Sequence, residues 1–236
     1  MIDTCVNWDK ESWLSSNKYF DKLNDSLIKI LELNSQSKIL DVGCGRGYLL
    51  KNLSSKILFD QYLTGVEPVY HKHEEYNKIK IFNSNIQDFF KHNKNKYDFI
   101  IFKQVLHLIP LIERNKLYKS ILNSLSINGK LVVLQMNKYH NFPTFPSMEK
   151  RLSKSLKEHD EILNELSINF FKIKKKKFKY TVKIKKNDYI KMIKNKFISI
   201  LANFSKSEIE EGCIYIDHHY PFDIFFDDLL NIYIIG

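Results

Sequence analysis

The chain has 236 residues, of which 44% are hydrophobic and 14% aromatic, so it is long enough for one medium-sized domain with its own core. It contains no apolar run of about eighteen residues, the length that a membrane helix needs, and it does not start with the basic flank and apolar stretch of a signal peptide. We therefore expect a cytoplasmic protein with no membrane partner.

The net charge of +10 comes almost entirely from lysine, which accompanies many asparagine and isoleucine residues, as is typical of an AT-rich genome. Arginine, which grips phosphate with two parallel hydrogen bonds, is scarce. The basic charge therefore does not by itself indicate an RNA partner.

Cysteine and histidine residues show no metal-binding spacing. The chain has three scattered cysteines, Cys5, Cys44 and Cys213, an odd number that predicts reduced thiols rather than a disulfide framework. His218 and His219 are adjacent, and adjacent side chains of an extended segment point apart. We expect no bound metal.

The first predicted element is an amphipathic helix from Trp8 to Leu33, where apolar residues recur at helical spacing with polar residues between them. We expect this helix to pack beside a ligand cleft.

A glycine-rich turn follows the first predicted strand, Ile39–Val42. Gly43, Gly45 and Gly47 stand at alternate positions after Asp41, and an apolar helix begins directly behind them. Glycine tolerates positive φ and lets the backbone approach a ligand closely, so the pattern predicts a nucleotide-binding turn. Its spacing differs from the G-x-G-x-x-G of dinucleotide folds.

Further strands follow in βαβ order. The second, Leu63–Glu67, ends in an acidic residue, whose carboxylate can accept hydrogen bonds from both hydroxyls of a ribose. The third, Ile79–Asn83, leads into a polar loop and a short apolar segment. The fourth begins at Tyr97 and runs toward His107, and a turn at residues 128–129 precedes the fifth. Alternating strands and helices predict a parallel sheet with its ligand site at the carboxyl ends of the strands.

In this order, the segments resemble class I S-adenosylmethionine-dependent methyltransferases, and the resemblance covers residues 36–136. It implies an α/β fold with a Rossmann-like, seven-stranded, mostly parallel sheet, an antiparallel last strand and a helical lid. The implied cofactor is S-adenosylmethionine, with S-adenosylhomocysteine as product. The cofactor-binding residues implied are Asp41, Gly43, Cys44, Gly45, Gly47, Glu67, Pro68, Asn85, Ile86 and Lys103.

Three assignments leave an alternative open. Lys103 is expected to line the cofactor cleft, and a solvated lysine is the other interpretation. The adenine-binding loop of the family carries an acidic residue before a small apolar one, and we prefer Asn85 with Ile86 in these places, with Asp88 as the alternative. The aromatic residues Trp8, Trp13 and Tyr19 are candidates to close over the sulfonium by cation–π attraction, and core packing is the other interpretation of each.

After the fifth strand, the pattern predicts a helix that Ser147 caps and that ends near Leu166. The lysine-rich segment 172–186 has apolar residues at alternate positions in its second half, which indicates a solvated edge strand. A site for an acidic partner is the other interpretation of this segment. Residues 186–203 follow with apolar side chains on one helical face.

The last predicted helix begins at Ser205, because Ser205 and Glu208 have the spacing of a capping box. The apolar segment from Asp223 to Ile235 is the predicted closing strand.

We predict a single domain over residues 1–236. It comprises a helical lead-in (1–35), a cofactor-binding core (36–136), lid helices with an edge strand (137–220) and a closing strand (221–236). By the resemblance, the lid covers the methyl-transfer pocket and selects the acceptor, and a roofed pocket favours small acceptors over folded nucleic acid.

Methyl transfer from a sulfonium is an in-line displacement that depends mainly on alignment in a water-poor pocket. A base is needed for a protonated acceptor and not for a carboxylate. His107, just beyond the fourth strand, is the first candidate base, and His140, in the loop after the fifth strand, is the second. A packing role is the other interpretation of His107.

The predicted function is transfer of a methyl group to an oxygen, nitrogen or carboxylate of a small-molecule acceptor by a monomer or homodimer. We expect no nucleic-acid partner, since the Asp/Asn-Pro-Pro-aromatic tetrapeptide of amino methylases of nucleic acids is absent after the fourth strand. An RNA methyltransferase and a non-catalytic S-adenosylmethionine-binding protein stay open as alternatives.

Overall fold

A computed structural model describes residues 12–71, 78–170 and 172–236 of the chain. These residues form a seven-stranded sheet in the order β3-β2-β1-β4-β5-β7-β6. The strands are β1 (Ile39–Val42), β2 (Leu63–Glu67), β3 (Ile79–Asn83), β4 (Tyr97–Lys103), β5 (Leu125–Met136), β6 (Ile173–Ile184) and β7 (Ile224–Ile235). The helices are α1 (Asn17–Leu31), α2 (Tyr48–Lys56), α3 (Ile86–His92), α4 (Leu111–Ser124), α5 (Pro146–Asn169), α6 (Lys186–Lys194) and α7 (Lys206–His219).

The first five strands are parallel, and β7 runs antiparallel to both β5 and β6. Only β7 therefore opposes the common strand direction, which confirms the predicted fold class. Every residue of β1 and β2 is buried, because helices cover both faces of the sheet. The lysine-rich β6 lies at one edge of the sheet, with Lys174–Lys177 exposed.

Helix α5 takes part in both hydrophobic cores of the domain. Its first half contributes Met148, Leu152 and Leu156 to the core shared with α1, α6 and α7. Its second half contributes Ile162 and Leu166 to the core on the other face, beside α4. The middle of α5 therefore lies at the end of the sheet, between the two cores.

The single helix predicted over residues 186–203 is wrong. Helix α6 ends at Lys194, and a short 3-10 turn, Ser199–Leu201, follows it. Lys196 between them has a left-handed backbone (φ 53°), and its ammonium donates hydrogen bonds to the Ala202 and Phe204 carbonyls at 3.0 and 2.7 Å. These bonds stabilise a bend that interrupts the helical face.

The predicted N-terminal helix is also divided. Trp13–Ser15 form a 3-10 turn, and α1 starts after Ser16, whose Oγ accepts a hydrogen bond from the Tyr19 N–H at 3.2 Å. Trp8 and Cys5 lie outside the described residues.

The start of α5 differs from the prediction, and the start of α7 agrees with it. Helix α5 starts two residues earlier than predicted, at Pro146, with Phe145 in place of Ser147 at the cap. Proline suits this first position because its missing N–H would have no helical partner. The capping box of Ser205 and Glu208 is confirmed at the start of α7.

Helix α7 extends through His218 and His219, so these two residues occupy its last turn and not an extended segment. Among the helices of the described residues, none has both the length and the apolar character required to cross a bilayer.

Candidate active site

A cavity of about 500 Å³ opens at the carboxyl ends of β1, β2 and β4. Its floor includes the glycine turn, Glu67 and the segment after β4, and its roof comes from α5 and the segment after α6. We call the roof residues the lid wall: Leu152, Ser155, Leu156 and His159 of α5 with Phe197, Ile198, Ser199 and Ile200.

The glycine turn has the backbone that its sequence predicts. Gly43, Gly45 and Gly47 have φ of 68°, 52° and 74°. A Cβ at Gly43 would lie 2.4 Å from Val105 Cγ2, whereas a Cβ at Gly45 would meet nothing within 4 Å. Gly43 is thus required by packing as well as by conformation, and Gly45 faces open space. Gly47 is the N-cap of α2 and does not line the cavity.

Glu67 ties the end of β2 to the glycine turn. One carboxylate oxygen accepts a hydrogen bond from the Gly45 N–H at 2.9 Å, and the other accepts from the Val69 N–H at 3.0 Å. A carboxylate has about four lone-pair sites, so each oxygen keeps a site for a ligand hydroxyl. Pro68, next along the chain, also lines the cavity.

Asp41 places a carboxyl group beneath the turn. It is only 2% exposed, and burial raises its pKa to about 7, with Lys103 acting in the opposite direction and Glu67 in the same one. The Lys103 ammonium lies 5.6 Å from the ring centroids of both Tyr19 and Phe20. A bound cation next to Asp41 would stabilise its ionised form.

Asn85 caps α3 at the cavity rim. Its Oδ1 accepts a hydrogen bond from the Asp88 N–H at 2.8 Å, and its Nδ2 donates to the Asp88 carboxylate at 2.7 Å. Asn85 and Ile86 line the cavity, and Asp88 does not. The geometry therefore favours Asn85 with Ile86 over Asp88 beside a ligand.

Trp13 and Tyr19 do not line the cavity. The Trp13 Nε1–H donates a hydrogen bond to the Asp228 carboxylate at 3.0 Å, and Tyr19 is fully buried with its ring 5.7 Å from that of Phe178. Both residues pack in the core. The same segment instead directs Leu14 and Phe20 into the cavity.

His107 and His159 lie together in the cavity, with ring centroids 4.9 Å apart. The pKa of His107 is lowered to about 3, mainly by burial and to a smaller extent by His159 and Arg114. Burial also lowers the pKa of His159, and the Met136 carbonyl and Asp160 oppose that shift. Both rings are therefore neutral at physiological pH.

His140 lies outside the cavity. Its Nε2 is 3.6 Å from the Glu149 carboxylate, and its ring packs 4.6 Å from that of Phe142. The structure thus does not bring the second candidate base to the site.

Sequence reasoning missed His159. It recurs at helical spacing with Leu152, Leu156 and Ile162 on the buried face of α5. A histidine within an otherwise apolar stripe was the available signal, but the sequence does not show that this face meets His107.

Comparisons with known proteins agree with this architecture. A family model described as a methyltransferase domain matches residues 16–171. An uncharacterized methyltransferase of Staphylococcus carnosus (strain TM300) is 22% identical over 201 residues, which cover 78% of this chain and 93% of the relative.

Solved structures share the fold at low sequence identity. A putative methyltransferase from an antibiotic biosynthesis pathway of Anabaena variabilis ATCC 29413 has a TM-score of 0.65 and 16% identity, and the match covers 89% of this chain and 95% of that one. The plantazolicin methyltransferase BpumL, crystallised with a monoazolic desmethylPZN analog and SAH, has a TM-score of 0.51 and 18% identity, covering 92% and 82%.

Proposed function

The chain belongs to the methyltransferase domain family and is an S-adenosylmethionine-dependent methyltransferase, and from that premise we propose that it methylates a small molecule held beneath the lid wall. The observation that carries the proposal is the shape of the cavity. Its floor presents backbone and carboxylate groups for a nucleoside, and the residues of its roof are mostly apolar.

The residues on the cavity floor fit the methyl donor. Glu67 has lone pairs available for the two ribose hydroxyls, and the open space at Gly45 admits a ligand close to the backbone. The buried Gln104 Nε2 makes no hydrogen bond to another described residue, so it offers a donor to a ligand. Asp41 supplies the negative charge that an amino group requires.

The donor site that we propose also includes less polar contacts. Asn85 and Ile86 lie at the rim where the adenine would rest, and Pro68 flanks the ribose residue. When bound, the donor supplies an activated methyl group. We assign its contacts to Asp41, Gly43, Cys44, Gly45, Glu67, Pro68, Asn85, Ile86 and Lys103, with Gly47 shaping the turn.

The acceptor site that we propose lies between the segment after β4 and the lid wall. The lid wall brings two separate segments over the cavity, so the space is partly covered rather than an open groove. Such a space aligns a small acceptor with the methyl carbon and keeps water out. Two structural neighbours are named for antibiotic biosynthesis and for plantazolicin, which is compatible with a small-molecule acceptor.

Calorimetry with S-adenosylmethionine tests the donor site. We expect wild-type protein to bind it in preference to NAD. Glu67→Ala should lose most of this affinity, because both its oxygens stand between the turn and the ribose, while the exposed Glu211→Ala should bind as wild type. Equal affinity of Glu67→Ala and wild type would contradict the proposed donor site.

A labelled-methyl assay on cell extract then tests the acceptor class. We expect the label in the low-molecular-mass fraction. Label in RNA, with RNA retention that persists as salt rises, would favour the RNA methyltransferase instead, because binding through charge alone weakens with salt. Donor binding without any transfer would leave the non-catalytic interpretation.

A further inference from the structure

The pair formed by His107 and His159 is the most polar feature of the acceptor side of the cavity. The His107 Nδ1 and both ring nitrogens of His159 are sealed from solvent, and none makes a hydrogen bond of ordinary geometry to another described residue. Leaving a buried polar group unpaired costs about 1–3 kcal/mol. These three atoms lie in two rings whose centroids are 4.9 Å apart, so the rings are close enough to supply partners to each other.

The rings of His107 and His159 can form a hydrogen bond with each other. The Met136 carbonyl lies beside His159 and favours an N–H on the nitrogen that faces it, which leaves the other nitrogen of His159 as an acceptor. That acceptor can take the Nδ1–H of His107. A hydrogen bond at one ring nitrogen fixes the tautomer, so the lone pair of His107 is then on Nε2.

The lid wall beside the pair is uncharged. Among the described residues of the lid wall, none is permanently charged, and Ser155 and Ser199 are its only polar members besides His159. Arg114, whose charge acts on His107, is already bound to both carboxylate oxygens of Glu165. A carboxylate acceptor packed against the lid wall would lose part of its hydration without gaining a counter-ion from that wall.

On the basis of the proposed function, we propose that the acceptor is an uncharged alcohol or phenol with an apolar body, that His107 Nε2 accepts its hydroxyl proton, and that His159 is the positioning residue that holds His107. The acceptor oxygen bonds to the methyl carbon as the carbon–sulfur bond breaks and leaves its electron pair on sulfur. The hydroxyl proton moves to His107 and then to water. The products are a methyl ether, a thioether and one proton.

The weak basicity of the buried His107 favours a hydroxyl over an amine as the acceptor group. An alkyl amine is protonated at neutral pH, and a ring whose pKa is lowered to about 3 does not remove that proton, so only the small neutral fraction of the amine could react. A hydroxyl arrives neutral and becomes strongly acidic only as the new bond to carbon forms, so a weak base is sufficient at that moment.

The test uses the full chain with methyl-labelled S-adenosylmethionine, cell extract, and three probes with one apolar body: 1-naphthol, 1-naphthoic acid and 1-naphthylmethylamine. A methyl ester releases labelled methanol in mild alkali, a methylated amine binds a cation exchanger, and a methyl ether does neither. We expect ether products from the extract and, among the probes, from 1-naphthol alone. Ester or amine products, or donor binding without any labelled ether, would overturn this inference.

Variants that keep ring volume test the two roles. We expect His107→Phe to lower kcat about 100-fold and His159→Phe about 10-fold, with donor affinity measured by calorimetry near that of wild type. His159→Gln should recover part of the loss, since its amide oxygen can accept the Nδ1–H. The exposed His92→Phe is the control.

Two results would overturn the assigned roles: unchanged kcat in His107→Phe, or no difference between His159→Phe and His159→Gln. Failure of wild-type protein to bind the donor is a separate result, and it would contradict the proposed function itself.

Discussion

Arg114 of α4 and Glu165 of α5 form a two-point ion pair that fastens the second half of α5 to the rim of the cavity. The Arg114 Nε and Nη2 donate to the two carboxylate oxygens at 2.9 and 2.8 Å, and the Nη1 donates to the Ile109 carbonyl at 3.2 Å. The Tyr118 hydroxyl also donates to Glu165, at 2.9 Å. Because Ile109 lines the cavity and α5 carries His159, this pair connects the two parts of the acceptor site.

Replacing Glu165 by glutamine should destabilise the domain. Arg114 is buried, with its side chain 9% exposed, so removing its counter-charge leaves an uncompensated cation inside the protein. We expect the free energy of unfolding to fall by about 3 kcal/mol, measured by urea denaturation. Asp160→Asn on the same helix breaks an exposed pair with Lys138 and should cost under about 1 kcal/mol. Equal losses would contradict a structural role for the buried pair.

Gly43 and Gly45 should respond differently to alanine. Both have left-handed backbones, which cost about 1 kcal/mol for a residue with a Cβ, but only at Gly43 does the new carbon overlap Val105. Overpacking adds about 1–3 kcal/mol, so we expect Gly43→Ala to lose about 3 kcal/mol of unfolding free energy and Gly45→Ala about 1 kcal/mol.

A double-mutant cycle checks the cause of this difference. Val105→Ala should relieve part of the loss in Gly43→Ala and should not help Gly45→Ala. Additive losses at residues 43 and 105 would mean that the overlap does not determine the cost.

Donor affinity should depend on pH through Asp41. Its pKa is raised by burial to about 7 in the free protein, and the donor brings a cation to this carboxyl group. Binding then favours the ionised form and releases a proton, so we expect the affinity to rise by about tenfold per pH unit below 7 and to level off above it. Calorimetry in buffers with different ionisation enthalpies measures the released proton. Asp41→Asn should bind more weakly, without this slope.

The raised pKa of Asp41 should also make the stability of the fold depend on pH. An acid whose pKa is higher in the folded than in the unfolded state stabilises the fold at low pH, and the contribution is lost as pH rises from about 4 to about 7. Asp41→Asn removes the buried charge, so its stability relative to wild type should improve across this interval. A constant difference from pH 4 to pH 8 would contradict the raised pKa.

Strands β1 to β4 could be predicted from sequence because each is a short, largely apolar run between turn residues. Leu63–Glu67 and Ile79–Asn83 have the predicted bounds, and the glycine turn is specified by residues adjacent in the chain. The bend at Lys196 could not be predicted, because it depends on hydrogen bonds to carbonyls six and eight residues away.

In the candidate active site, too, features set by neighbouring residues could be predicted, and contacts between distant residues could not. Glu67 was identifiable because its strand position fixes its place at the sheet edge. The contact of His107 with His159 joins residues 52 positions apart, and it depends on how α5 crosses the end of the sheet. Periodicity identifies the buried face of a helix but not the element that this face meets.

A substitution at Trp13 tests whether this aromatic residue belongs to the core or to the donor site. Its indole N–H bonds the Asp228 carboxylate, which is 6% exposed. Burial raises the pKa of Asp228, and the Trp13 hydrogen bond and Lys103 lower it. Trp13→Phe keeps most of the packing and removes this bond, so we expect the free energy of unfolding to fall by about 2 kcal/mol.

The same variant should leave donor affinity within about twofold of wild type, because Trp13 does not line the cavity. Phe20→Leu is the comparison, since Phe20 does line it and lies 5.6 Å from the Lys103 ammonium. We expect this variant to weaken donor binding by about fivefold with a smaller loss of stability. If Trp13→Phe instead lowers the affinity for the donor more than Phe20→Leu does, the indole takes part in binding the sulfonium. Core packing is then not the main role of Trp13.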